Sequence, residues 1–149
     1  MEIETMENTA VFIGHRYLPD EAALAPAVRA AVRRLLAAGY RRFLCGGCGS
    51  FDRLCAEILW DMKTGMPGVE SILVHPYPRN HFPQSVCRYF DTVLYPGLED
   101  VPPRYAIPRR NRWMVEQSQA ALCHVTHDWG GAYQTLAYAR RRGLQIYNV

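Results

Sequence analysis

The sequence predicts an α/β protein, a single domain with a mostly parallel sheet flanked by helices. Three observations carry that expectation: short apolar runs alternate with amphipathic helical stretches, glycines punctuate the joins, and no repeat, low-complexity tract or linker interrupts the series. At 149 residues the chain is the size of one domain.

Each element has its own signal. Ala10–His15 is an apolar run ended by glycine and histidine, a buried strand. The next stretch sets Leu24, Val28, Val32, Leu35 and Leu36 on one helical face with Arg29 and Arg33 opposite, and Gly39 stops it. Pro26 is expected near the start of that helix, because proline breaks a helix interior. Residues 41–46 form the second strand, and Phe51–Gly65 a helix with Cys55, Ile58, Leu59 and Met62 inward. Residues 70–77 are a third strand, 82–91 hold a short helix, and 92–95 are a fourth strand. With Pro96, Pro102, Pro103 and Pro108, residues 96–108 are expected to be a long irregular loop. A helix from Arg109, a strand at 120–125, a helix from Ala132 and a strand at 144–149 complete the chain. Residues 1–9 are expected to be an N-terminal tail.

Composition narrows the function classes. The N-terminus is acidic and polar, unlike a signal peptide, and no apolar run is long enough to span a membrane, so a cytoplasmic protein without membrane partners is expected. A net charge of +3 is small for a nucleic-acid binder. Lys63 is the only lysine; all other basic side chains are arginine, the residue suited to bidentate anion contact. Five cysteines, an odd number, favour reduced thiols.

Right-handed crossovers bring the carboxyl ends of parallel strands to one edge, where open α/β sheets bind ligands. Gly14-His15-Arg16 follows the first strand, and Cys45-Gly46-Gly47-Cys48-Gly49-Ser50 the second. His75-Pro76-Tyr77 follows the third, and His127-Asp128-Trp129-Gly130-Gly131 the fifth. Two glycine turns that each open a helix are suited to phosphate, since free N–H groups and the helix dipole point at it. Arg16, Arg109 and Arg110 stand nearby to neutralise charge. Asp52 fits either a helix cap or a ligand contact, and Trp129 and Tyr77 either stack on a base or pack under loops. Cys45-x-x-Cys48 has the spacing of a redox pair or half a zinc site, but no second ligand pair accompanies it, so no metal or cofactor is expected.

These residues resemble a known family. "VFIGHRYLPDE", "CGGCGSFDRLCAEILWDMK", "HPYPRN", "RRNRWMVEQSQAALCHV" and "GGAYQTLAYARRRGLQIYNV" follow in order the pattern of the YpsA-like branch of the SLOG superfamily, from Ala10 to Val149. The resemblance implies a Rossmann-like fold. The superfamily includes Lonely Guy phosphoribohydrolases, the DNA-processing protein A family and sensors of ADP-ribose-type nucleotides. Arg110 and Met114 match the Lonely Guy arginine and methionine, but Ala137 and Tyr138 stand where the catalytic glutamate of P-G-G-x-G-T-x-x-E is expected.

The main expectation is therefore non-catalytic binding or sensing of a nucleotide or ADP-ribose-like ligand. Phosphate would lie on Gly46, Gly47, Gly49, Ser50, Gly130 and Gly131, with Arg16 and Arg110 beside it; Gly14 and His15 adjoin. Asn111 and Asp52 would meet ribose, and Trp129 or Tyr77 the base. The competing readings are a nucleotide N-glycosidase using Asp52 or Asp128, and a DNA-associated module. Nucleic acid is not expected as the partner, and a homo-oligomer is left open.

Overall fold

The computed structural model describes residues 6–78 and 82–149. Eleven elements follow in order: β1 (Thr9–Gly14), α1 (Glu21–Ala37), β2 (Arg42–Cys45), α2 (Ser50–Lys63), β3 (Glu70–Val74), α3 (Gln84–Cys87), β4 (Thr92–Leu94), α4 (Pro103–Gln117), β5 (Ala120–His124), α5 (Gly130–Arg141) and β6 (Gln145–Asn148). Among the described residues, no helix is long and apolar enough to cross a membrane.

The six strands form one sheet in the order β4-β3-β2-β1-β5-β6, and every pairing is parallel. Side chains alternate across a strand, so each apolar run feeds two cores. Ala10, Phe12, Phe43, Cys45, Ala120 and Leu122 face α1 and α2; Val11, Ile13, Leu44, Ala121 and Cys123 face α4 and α5. From β1 the chain builds outward through β2, β3 and β4, then returns to lay β5 on the other side of β1. The crevice for a ligand in such a sheet opens where the order reverses, outside the carboxyl ends of β1 and β5.

Two expectations about proline are corrected. Helix α1 begins at Glu21, with Asp20 accepting from the Ala23 N–H at 3.1 Å, and Pro26 lies inside it. Helix α4 begins at Pro103, inside the stretch expected to be irregular, and contains Pro108. Pro103 takes the first helical position, where its missing N–H has no intrahelical partner to lose. Pro26 and Pro108 each stand sixth in their helix and are solvent-exposed. Each removes an early backbone bond at a face where water can satisfy the freed carbonyl.

Of the expected N-terminal tail, residues 1–5 lie outside the described residues; Met6 packs against the α4–α5 core and Thr9 opens β1. Arg79 and Asn80 of "HPYPRN" also lie outside them.

Candidate functional site

A cleft of about 640 Å³ lies at the carboxyl ends of β1 and β5. Gly14, His15, Arg16 and Tyr17 form one wall, continuing β1, and Thr126, His127 and Trp129 to Ala132, entering α5, form the other. Its floor is apolar, with Phe12, Ile13, Ile107 and Met114, and carries three polar side chains, Asp52, Arg110 and Asn111.

Three rings stack from the β1 wall onto the β5 wall. His15 and His127 lie 3.9 Å apart at 20°, and His127 and Trp129 3.9 Å apart at 16°. His15 Nε2 accepts the Thr126 N–H at 2.9 Å, and His127 Nδ1 donates to the Trp129 carbonyl at 2.9 Å. Burial, with His127 and His124 nearby, pushes the His15 pKa down. A neutral His15 is what the Thr126 bond requires. The stack ends in the open: Trp129 is 67% exposed, and Tyr17, across the cleft, is 75% exposed.

Arg110 is 2% exposed. Its Nη1 donates to Gly46 O and Val74 O, both at 3.0 Å, its Nη2 to Cys48 Sγ at 3.4 Å, and its Nε to Asn111 Oδ1 at 3.0 Å. The guanidinium thus ties α4 to the ends of β2 and β3 while one edge faces the cleft. A Cβ at Gly46 would lie 3.0 Å from the guanidinium carbon, so glycine makes room for it.

Asp52 is 7% exposed and sits in the first turn of α2. Its Oδ2 accepts the Cys48 N–H at 3.0 Å. Burial raises its pKa to about 6, against the opposing pull of the Cys48 N–H and Arg110. The Cys45 thiol is fully buried, its pKa pushed well up by burial and then by Asp52. All five cysteines are free thiols.

The two glycine turns differ. In the first, the Cys48 N–H goes to Asp52 and the Ser50 N–H to Arg16 O at 2.8 Å, so two donors expected to face phosphate are already used. Gly49, at φ +98°, approaches so closely that a Cβ would lie 2.4 Å from Arg16 Cα. That turn clasps the β1 loop. In the second turn the α5 N-cap, Trp129, makes no side-chain cap bond, and a Cβ on Gly131 would meet nothing within 4 Å. The α5 N-terminus is open to the cleft.

Of the residues singled out from sequence, Gly14, His15, Arg16, Asp52, Arg110, Asn111, Trp129, Gly130 and Gly131 line the cleft together. Gly47, Gly49 and Ser50 line a second cavity of about 300 Å³ beyond the first turn, which also reaches Asp52. Gly46 lies under Arg110, and Tyr77 stands off to the side, its hydroxyl donating to Pro103 O at 3.1 Å. Tyr17, Thr126 and Ile107 were not among the candidates, and His127, placed at this edge by the sequence, was given no role there. Tyr17 follows His15-Arg16 directly, an aromatic in a polar turn, which was the available signal.

No family model and no curated protein matches the chain. Solved structures do. DNA processing protein A from Helicobacter pylori, described for its single-stranded DNA binding mode, matches with a TM-score of 0.66 at 15% identity over 94% of this chain and 64% of its own. DNA processing protein A from Streptococcus pneumoniae matches with a TM-score of 0.66 at 17% identity over 94% of this chain and 49% of its own. The chain thus spans about two thirds of one neighbour and half of the other. The likeness shows the fold: a Rossmann-like α/β domain with an all-parallel six-stranded sheet flanked by helices.

These neighbours overturn two expectations. Sensing of a nucleotide or ADP-ribose-like ligand, and the exclusion of nucleic acid as a partner, are not what these neighbours support: both are DNA processing protein A, one of them described for its single-stranded DNA binding mode. The error was to average charge over the chain. Helices α4 and α5 with the α5 C-cap carry Arg104, Arg109, Arg110, Arg112, Arg140, Arg141 and Arg142 against one acid, Glu116. Helices α1 and α2 carry Arg29, Arg33, Arg34, Arg53 and Lys63 against Glu21, Asp52, Glu57 and Asp61. A total of +3 conceals one nearly neutral layer and one strongly basic layer.

Proposed function

We propose that this domain binds single-stranded nucleic acid, DNA in the first instance, at the carboxyl edge of the sheet. One observation carries the reading: the exposed aromatic side chains gather at that edge. Tyr17 follows β1, Tyr77 follows β3, Trp129 follows β5, and Tyr105 and Tyr133 lie in the first turns of α4 and α5. Exposed rings gathered at one edge mark a binding surface, and bases stack on any aromatic face. The likeness to DNA processing protein A supports the same reading.

The cleft suits a base better than a phosphate. Its floor is apolar and holds the Asp52 carboxylate, which repels an anion, whereas the Asn111 amide and Asp52 offer a donor and an acceptor to a base edge. Phosphates belong at the rim, on the open N-terminus of α5 and beside Arg16. Trp129, braced from behind by His127 and His15, is a stacking platform at the mouth. The resemblance at Gly14-His15-Arg16 and Gly130-Gly131 supports a place in the YpsA-like branch of the SLOG superfamily, and a cytoplasmic location belongs to the same proposal.

The test is fluorescence anisotropy with a labelled oligothymidylate and a duplex of equal length, at low and moderate salt. The single strand should bind more tightly than the duplex, with affinity falling as salt rises. Absence of single-strand binding at low salt by folded protein sinks the reading, and so does preference for the duplex.

A further inference from the structure

We propose that the outer face of α4 and α5 is a second nucleic-acid contact surface, a track for the sugar-phosphate backbone of a strand whose base is held in the cleft. The proposal rests on the single-strand reading above and extends the footprint beyond the cleft.

The central observation is a cluster of guanidinium groups around one ring. The Arg112 guanidinium, from α4, lies 4.6 Å over Tyr138, and that of Arg141, from α5, lies 5.6 Å from the same ring centroid. Arg142 is close enough to act electrostatically on the Tyr138 hydroxyl. The nearby acid is Glu116, which accepts the Tyr138 hydroxyl at 2.6 Å.

Among the described residues, none of the arginines of this layer forms an ion pair. On the opposite layer three of the five cations of α1 and α2 are matched, Arg29 with Asp61, Arg53 with Glu21 and Glu57, and Lys63 with Asp91, while Arg33 and Arg34 are in no ion pair among the described residues. The same chain therefore neutralises most of one face and leaves the arginines of the other without ion pairs among the described residues. Like charges gathered without counter-charge destabilise a fold unless a polyanion meets them. A guanidinium stacked on a tyrosine keeps its N–H edge available for bidentate phosphate contact.

The surface is continuous with the cleft. Ile107, Asn111 and Met114 line it from one side of α4, while Arg109 and Arg112 lie exposed on the same helix. Both helices start at the carboxyl edge and run back along the sheet. At about 1.5 Å per residue, the length of α5 carries the track roughly 18 Å from the cleft mouth. An extended strand leaving the open N-terminus of α5 meets Arg112 and then Arg141 and Arg142.

The experiment compares oligothymidylates of about 6 and about 24 nucleotides, spanning the usual site sizes, on the full chain across a salt series. The variant is Arg112→Ala/Arg141→Ala/Arg142→Ala, three exposed side chains outside the cleft; Arg33→Ala on α1 is the control. Each phosphate contact adds about 0.7 to the salt slope of single-strand binding, so the triple variant should flatten the long-strand slope by about 2. Its short-strand affinity should stay within about twofold of the unmodified protein, and Arg33→Ala should leave both unchanged.

An unaltered long-strand slope in the triple variant overturns the track while leaving the cleft reading intact. So does equal loss for both lengths, or an equal effect of Arg33→Ala. Displacement of the long strand by polyglutamate at matched charge would assign the face to acidic peptides instead. Failure of the unmodified protein to bind either strand removes the single-strand reading, and the track with it.

Discussion

His127 lies flat against Trp129, the two ring centroids 3.9 Å apart, and the His127 Nδ1–H is bonded to the carbonyl of the same tryptophan. One face of the indole is therefore already covered and its orientation is held. The other face is the free one.

Trp129→Ala should weaken single-strand binding by about 1–3 kcal/mol, the usual contribution of one stacked base, or roughly 5- to 150-fold. Trp129→Phe should recover part of the loss. Anisotropy titration measures both, and affinity unchanged in the alanine variant would remove Trp129 from the interface.

Arg110 acts first on stability. Arg110→Ala orphans the Gly46 and Val74 carbonyls, which now take a charged donor at 3.0 Å each. A loss of about 3–5 kcal/mol is expected for a buried charged network broken on one side. Arg110→Lys should recover little, because one ammonium cannot reproduce the fork. Urea denaturation reads the effect, and a loss under about 1 kcal/mol would contradict the brace.

Asp52 makes stability fall as pH rises. Its folded pKa, about 6, stands above the ordinary value of 3.8, so the folded chain holds the proton more tightly than the unfolded chain. The proton-linked contribution is complete below about pH 4 and is lost as pH rises through about 6. The difference amounts to about 3 kcal/mol at most. Asp52→Asn, which can still accept the Cys48 N–H, should abolish this dependence and gain stability at pH 7.5 relative to pH 4.5. Parallel pH slopes for the two proteins in denaturant unfolding would refute the assignment.

Gly14 and Phe51 cannot both keep their places if a methyl group is added. A Cβ on Gly14 would stand 2.3 Å from the Phe51 ring. Gly14→Ala should destabilise by about 1–3 kcal/mol through overpacking. The penalty should shrink in a Phe51→Leu background, a non-additivity that a double-mutant cycle by thermal or urea unfolding detects.

The strands were legible because each is a short apolar run ended by a turn residue, and every run predicted as a strand contains one. The proline-bearing helix starts were not. Pro26 and Pro108 look like breaks, yet each costs one early backbone bond in a helix whose later turns pack on the core. The convergence of the loops after β1, β2 and β5 followed from handedness alone. The task of Arg110 was hidden, because its acceptors lie 36 and 64 residues away along the chain. The basic face was hidden differently: α4 and α5 are well separated in sequence, and only the reversal of strand order at β1 sets them on one side of the sheet.

The pairing of β1 with β5 has a consequence for how the chain assembles. β1 is central, yet one of its two neighbours arrives more than a hundred residues later, with Gly14 set against His124. During synthesis β1 to β4 can form a half-sheet with one flank of β1 unpaired, and that flank stays open until Ala120–His124 emerges. Contacts this distant in sequence slow folding, and an unpaired central strand is the kind of edge that chaperones and aggregation compete for. The wall of the cleft that bears Trp129 is thus the last to be built, and a nascent chain has no complete site until β5 has docked.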